Sequence, residues 1–540
     1  MLRDYHDPVV ARLNTDFLEI LLQRLQEIER RYIYIFFIVF VLNIMAYGLI
    51  VGELIYTNHT FPSAWPQPFP SFRSQEGRWA HDLIYLFQGG SGIAFFQTLI
   101  AISIQILAGI LFAVALNRKD NVSLIISASI VSLIPYVNDY HGFPSDSIMF
   151  AVGDLLAVTG VLIPRKSIKQ ILASAFVFQL SIACYQPKVA TICVVGAVYS
   201  LFLLADWDGG RESLKAILKS IMLLVAAVLA GAGMYLLVLK SLYIFDLIPS
   251  SQHFARRLSV ASLDQIVQNI KFVITDIYNR LFIPETLIPE YVKHIAAVVS
   301  FISICISILS ITILKTARHH KIVVLIALAI ALLLSMLSVD MAFIVSPNSY
   351  WYSGSGRFRT PFGFLIVAMM IMAIKPGRHH YNNIALIAVA VMIHSYIVTN
   401  ASINQQARLK NIAEFAYVNR ILSRIEIQPG FDYDKKYRIA IFGYFPLFMV
   451  RQYAEMPTDT VVSNLTNTSF IRYRQAEMLN WFAGKQAFEV VTREQFDRAE
   501  TYASTHDPYP SGDSVKLFEN GLIVVILEKY YPGMAYTRLE

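Results

Sequence analysis

Between two apolar runs near the amino terminus stands Gln75-Glu76-Gly77-Arg78-Trp79-Ala80-His81-Asp82, a stretch dense in charge. The apolar run that follows places it near a water–lipid boundary. A carboxylate there is partly desolvated, which raises its proton affinity and suits Glu76 or Asp82 to accept a proton. Arg78 offers a planar fork for a phosphate, and Trp79 a ring for a sugar face. The bland alternative is a solvated loop whose Arg and Trp anchor at lipid headgroups. A second stretch, Val137 to Asp146, carries Asp139 and Asp146. Asp146 stands just before an apolar run, where it either caps a helix or serves as a base. Asp154 follows two helical turns deeper, and a carboxyl group at that depth is either functional or bonded to another helix. A third stretch, Tyr185-Gln186-Pro187-Lys188, is a tip between two apolar runs, broken by its proline. It is either a plain hairpin or a ligand contact. The fourth, Tyr350 to Arg359, offers Trp351 to a sugar and Arg357 and Arg359 to a phosphate. Otherwise it is an aromatic belt with two snorkelling arginines.

The elements that must position these groups are membrane helices. Hydrophobic residues make up 56% of the 540 and charged ones 15%, against about 25% charged in a soluble domain; mean hydropathy is +0.51. Apolar runs long enough to cross a hydrocarbon core predict eleven spans. They cover 32–54, 93–116, 122–137, 147–163, 168–184, 189–205, 216–239, 294–314, 322–345, 362–374 and 384–399. Short connections on one side carry Arg118-Lys119, Arg165-Lys166, Arg211, Lys215, Arg318, Lys321, Lys375 and Arg378. The positive-inside rule makes that side cytoplasmic, together with the amino terminus. Residues 1–31 include an amphipathic pattern, Phe17, Leu18, Leu21, Leu22, Leu25 and Ile28, expected to lie on the inner membrane face.

The odd number of spans sends the tail, 400–540, outside. Its runs Arg438–Phe442 and Leu522–Leu527 read as strands. Phe470–Phe482 and Thr492–Ser504 read as helices, the second opening on Thr492 with Glu494-Gln495 as capping residues. The expected architecture is therefore three-part. An inner amphipathic segment (1–31) precedes a polytopic α-helical membrane domain (32–399), which a small α/β extracytoplasmic domain (400–540) follows. Polar material concentrates outside, above all in loops 55–92 and 241–293.

Several functions are excluded. The net charge of +7 is accounted for by the inner loops, and no basic helix or aromatic–basic motif supports nucleic-acid binding. There is no Walker sequence, so nucleotide hydrolysis is not expected. Three cysteines, Cys184, Cys193 and Cys305, all in or beside apolar runs, provide neither a disulfide framework nor a zinc site. No metal-ligand cluster is visible and no cofactor is expected, although the sequence leaves divalent metal use open.

The order of short motifs resembles a known family. Tyr47-Gly48 ends the first span, Gly77-Arg78-Trp79 leads into the second, Asp146 precedes the fourth, and Tyr185-Gln186 makes the fifth-to-sixth turn. In that order they are similar to the serotype-converting O-antigen glucosyltransferases, the Gtr type II group. The resemblance implies the polytopic fold of glycosyltransferases that use lipid-linked sugars (GT-C-like). It implies undecaprenyl-phosphate glucose as donor and a lipopolysaccharide O-antigen sugar as acceptor, at the periplasmic side of the bacterial inner membrane. It also implies a partner flippase and a donor-synthesising enzyme. Where relatives carry an acidic pair after the first span, this chain reads Thr57-Asn58-His59-Thr60-Phe61. The acidic role passes to Glu76, with Glu53 in reserve. Candidate bases are thus Glu76, Asp146, Asp139 and Asp82. Candidate donor contacts are Arg78, Trp79, Tyr185, Gln186, Lys188, Arg357, Arg359 and Trp351. The alternatives are a glycosyltransferase of the same architecture with another sugar or acceptor, a polysaccharide transporter, and an O-antigen polymerase.

Overall fold

The computed structural model describes residues 29–53, 55–57, 60, 76–87, 94–143, 145–248, 261–282, 289–314, 316–346, 356–374, 379–443 and 474–531. The amphipathic segment expected before residue 29 lies outside them.

Helices dominate, as they must where lipid offers the backbone no hydrogen-bonding partner. In chain order they begin α1 (Arg30–Gly52), α2 (Trp79–Phe87), α3 (Ala94–Ala115), α4 (Asn121–Leu133), α5 (Asn138–His141), α6 (Ser147–Leu162), α7 (Ile168–Cys184), α8 (Lys188–Ala205) and α9 (Arg211–Ile244). There follow α10 (Leu263–Phe282), α11 (Glu290–Ile313), α12 (Arg318–Ser338), α13 (Met341–Ile344), α14 (Gly356–Arg359), α15 (Pro361–Ala373) and α16 (His379–Glu426). Each of the eleven predicted runs overlaps helix, but the run over 322–345 is interrupted at Val339-Asp340, between α12 and α13. Among the described residues, eight helices are long and apolar enough to cross a membrane, counting α14 and α15 (Gly356–Ala373) as one, and α4 with Pro135–His141 makes a ninth if that bent pair is one span. The apolar helices α6 and α7 are shorter. The molecule is thus a helical, polytopic membrane protein. Its centre is α8 and the α14–α15 unit, whose most apolar windows are 67% and 83% buried, against 22% for α9 and α11 at the lipid-facing rim.

Three departures from the sequence reading bear on the site. First, the span over 122–137 is not straight. Pro135 ends α4 and the chain bends by 45°, because proline lacks the N–H and forces the preceding residue out of helical space; Ile134 has ψ 130°. The residues after the break, expected as an outer loop, are α5, and Asn138, Asp139, Tyr140 and His141 are all buried. Asn400 fixes the break, donating through Nδ2 to the carbonyl of Leu133 at 2.6 Å. Second, the loop 241–293 contains α10, which is strongly amphipathic. Ile266, Ile270, Val273 and Ile277 pack with Phe343 and Ile344 of α13, and Asn269 Nδ2 donates to the carbonyls of Phe343, Ile344 and Ser346 at 3.1–3.2 Å. Third, the boundary drawn at 399/400 falls inside one unbroken helix, α16.

The last turns of α16 belong to the core of a mixed sheet. The tail contains β1 (Tyr437–Phe442), α17 (Gln475–Ala483), β2 (Phe488–Val490), α18 (Arg493–Thr505), β3 (Val515–Leu517) and β4 (Leu522–Ile526). The strand order is β2-β1-β4-β3. β1 runs parallel to β2 and β4, and β3 antiparallel to β4. Strand alternation sends Ile439 and Ile441 to one face, against Val418, Ile421 and Leu422 of α16 and Met478 and Leu479 of α17. Ala440 and Phe442 face Phe496, Ala499 and Ala503 of α18. Thr492 and Gln495 form the expected capping box.

The chain leaving α1 is clasped to α16. The Tyr56 N–H donates to Asn411 Oδ1 and the Asn411 amide donates back to the Tyr56 carbonyl, each at 2.9 Å. The Tyr56 ring meets Phe482 of α17 at 5.4 Å between centroids, and Thr57 Oγ1 donates to the Gly142 carbonyl at 2.7 Å. Close helix approach adds rigidity elsewhere. A Cβ at Gly109 of α3 would lie 2.6 Å from the Ala128 Cα of α4, so only glycine permits that contact.

Candidate active site

Two polar tiers are stacked inside the helical bundle. The outer tier begins at Gly77, whose φ of +83° turns the chain into α2 in a conformation natural to glycine. The turn is tied at both neighbouring carbonyls: Gln186 Nε2 donates to Glu76 O, and the Tyr235 hydroxyl donates to Gly77 O at 3.2 Å. Arg78 lies 3.1 Å from Glu76 Oε2 and 4.8 Å above the Tyr185 ring. At the hydroxyl of Tyr185, Arg357 Nε donates at 2.8 Å. Arg357 also directs its backbone N–H (3.1 Å) and Nη1 (3.4 Å) to Asp139 Oδ2, and its guanidinium lies 4.3 Å from the Phe143 ring. Phe358 stacks on Tyr185 at 5.9 Å. Tyr185 is therefore the hub between two arginines, each accompanied by a carboxylate.

Asp146 joins this tier. Its Oδ1 lies 2.8 Å from His81 Nε2 and accepts from Ser145 Oγ at 3.1 Å. It occupies the N-cap position of α6 without making a side-chain capping hydrogen bond. Its charge also acts on Arg357. Asp82 Oδ1 lies 3.7 Å from the other imidazole nitrogen, Nδ1. Helix α2 delivers His81 and Asp82 because its first turns pack inward, leaving both nearly inaccessible.

The inner tier centres on Asp154 of α6. Oδ1 accepts from Lys188 Nζ at 2.7 Å and from Thr191 Oγ1 at 2.8 Å. Oδ2 accepts from Gln105 Nε2 and the Tyr140 hydroxyl, each at 2.8 Å. Four donors saturate the carboxylate. Lys188 also donates to the Tyr140 hydroxyl, which sits 2.7 Å from Thr360 Oγ1. Thr360 in turn lies 3.2 Å from the Arg357 carbonyl. Asp139 and Tyr140 are neighbours on α5, so the inner tier sets the position of both members of the Arg357–Asp139 pair.

The structure thus gathers Glu76, Arg78, Tyr185, Gln186, Arg357, Asp139 and Asp146, with Asp82 one imidazole away. It places two candidates elsewhere. Lys188, expected at an outer tip, points inward to Asp154. Arg359 pairs with Asp276 of α10 at 3.5 Å. Trp79 is half-buried beside the cluster, and Trp351 lies outside the described residues. Among the described residues, no three His, Cys, Asp or Glu side chains group as metal ligands. Sequence reasoning left out His81, although it sits inside the stretch that drew attention. It also left out Tyr140, Gln105, Thr191 and Thr360, which carry no spacing signal because their partners come from other helices.

Residues 63–370 match the sequence profile of the family described as Glucosyl transferase GtrII. The chain belongs to this family. The GtrII match takes in every member of both tiers and stops short of α16 and the sheet; Tyr47-Gly48, one of the motifs behind the resemblance, lies before it. No curated protein and no solved structure matches the chain. A GtrII protein is a glucosyltransferase, and the two arginine–carboxylate pairs around Tyr185, beside Asp146, supply charges of the kind glycosyl transfer needs. Cations offset a departing anion, and a carboxylate accepts the attacking hydroxyl's proton.

Proposed function

We propose that this protein transfers glucose from undecaprenyl-phosphate glucose to a sugar hydroxyl of the lipopolysaccharide O-antigen, at the periplasmic face of the bacterial inner membrane. The single observation that carries the proposal is the convergence of Arg357, Arg78, Tyr185 and Asp146 in one tier inside a membrane bundle. A polyprenyl donor keeps its tail in lipid and presents its phosphate at such a tier. The acceptor oxygen attacks the anomeric carbon and its proton passes to the carboxylate of Asp146. The bond from that carbon to the phosphate oxygen breaks, and its electron pair stays with the lipid phosphate. Arg357 spends Nε on Tyr185 and Nη1 on Asp139, which leaves Nη2 to donate to a phosphate. Asp139, held by a backbone N–H and a guanidinium, is an anchor for Arg357 rather than a base. The donor linkage supplies the driving force, so no nucleotide is needed in this scheme.

The basic short loops support a cytoplasmic amino terminus and a periplasmic tail. Loop 241–293 and the tail form the acceptor side, and a flippase and a donor-synthesising enzyme complete the system. The test uses membranes containing the protein, polyprenyl-phosphate glucose and defined O-antigen. The glycan should gain one hexose by mass. Asp146→Asn and Arg357→Ala should each reduce transfer by roughly 10²-fold or more at equal abundance, a general base alone contributing about 10²–10⁴; Glu76→Gln should act more weakly. Full transfer by all three variants overturns the site.

A further inference from the structure

The imidazole of His81 is an unusual group at this depth. Its side chain is 2% exposed, and one nitrogen, Nε2, lies 2.8 Å from Asp146 Oδ1. Among the described residues the other, Nδ1, is buried with no hydrogen-bond partner; Asp82 Oδ1 at 3.7 Å is beyond hydrogen-bond reach. An ionised carboxylate only accepts, so in either charge state of the imidazole Nε2 carries the proton that points at Asp146. Packing holds the ring in that pose: it stacks on Tyr85 with centroids 6.0 Å apart. Native structures rarely bury a polar nitrogen unpaired, and where they do a cause is to be sought. Here the cause is geometric. Turning Nδ1 toward a partner would take Nε2 away from Asp146.

We propose that His81 is the positioning residue of the catalytic carboxylate. Its Nε2–H fixes the rotamer of Asp146 and keeps it charged before the acceptor hydroxyl arrives. Ser145 supports the same oxygen from the adjoining residue, so both oxygen and side-chain angle are set. Helix α2 is thereby assigned a task of its own: it delivers the group that orients a base 65 residues away. The assignment rests on the reading of Asp146 as the base.

The test compares His81→Gln, His81→Asn and His81→Leu in the full-length protein, in membranes supplied with polyprenyl-phosphate glucose and O-antigen. Glutamine places an amide N–H near the Nε2 position and asparagine falls short of it, while both preserve polarity. His81→Gln should keep turnover close to that of the unaltered protein. His81→Asn and His81→Leu should lose turnover by roughly 10- to 100-fold, the worth of a hydrogen bond to a charged group, with KM for the donor unchanged. Adding His81→Asn to Asp146→Asn should cost nothing more, because a residue acting through Asp146 has nothing left to position. A purely structural role would treat glutamine and asparagine alike and would add its loss in the double variant. Either of those results, or full turnover in His81→Asn, overturns the assignment while leaving the glucosyl-transfer reading intact. If His81→Leu does not insert, the glutamine–asparagine pair decides. Absence of transfer by the unaltered protein overturns the transfer reading itself, and His81's role with it.

Discussion

Breaking the inner tier from one side should cost about as much as removing both of its charges together. Lys188→Met leaves the Asp154 carboxylate buried with three neutral donors and no cation, since Lys188 and Asp154 side chains are only 2% and 1% exposed. Asp154→Leu leaves an ammonium whose remaining partner is the Tyr140 hydroxyl. An uncompensated buried charge costs about 3–5 kcal/mol, so each single variant should lose that much. The double variant Lys188→Met/Asp154→Leu removes both charges together. It forfeits the hydrogen bonds from Thr191, Gln105 and Tyr140, each worth about 1 kcal/mol, but leaves no buried ion. Its loss should therefore be about that of one single variant, a coupling of roughly 3 kcal/mol or more. The assay is denaturation of the purified protein in detergent micelles by a graded fraction of sodium dodecyl sulfate, followed by tryptophan fluorescence. Thr191→Ala, which removes one neutral donor, is the mild control at about 1 kcal/mol. Losses that add to within about 0.5 kcal/mol would show that the two charges do not depend on one another, and would refute the account of the inner tier.

Three further outcomes follow from the same geometry. Gly109→Ala should destabilise the α3–α4 contact by about 1–3 kcal/mol in the same titration, because the new methyl would meet backbone rather than a movable side chain; an unchanged midpoint would refute that close approach. Arg357→Lys should not restore the transfer lost in Arg357→Ala, since one ammonium cannot reproduce a fork that bonds Tyr185 and Asp139 at once; wild-type rates in the lysine variant would reduce Arg357 to a point charge. A reporter that is active only outside the cytoplasm, fused after Glu540, should be active, and a cytoplasmic signal there would reverse the proposed orientation.

The sequence alone determined the elements whose physics is local. Eleven apolar runs became helices because lipid leaves the backbone no other way to satisfy its hydrogen bonds. Thr492 and Gln495 marked a helix start because the capping box closes within one turn, and the apolar runs at Arg438 and Leu522 became β1 and β4, strands buried on both faces. Two further features were visible and passed over. Pro135 announced the break in α4, and the spacing of Ile266, Ile270, Val273 and Ile277 announced α10. Candidate chemistry was legible as residue type near a boundary, which is why Glu76, Arg78, Asp139, Asp146, Tyr185 and Arg357 were chosen and why they share one tier.

Only the tertiary structure decided which charge meets which. Lys188 reads as an outward tip, yet it turns inward because Gly153 leaves its side chain room: a Cβ there would lie 2.8 Å from Lys188 Cγ. Arg357 reaches Asp139 across 218 positions and His81 reaches Asp146 across 65. No periodicity encodes such pairs, because they are made by the packing of helices and not by the pitch of any one of them. The stretch from Gln75 to Asp82 shows the division most plainly. Its composition marked it as chemistry, but only the fold revealed that its histidine, rather than its glutamate, is the residue touching the candidate base.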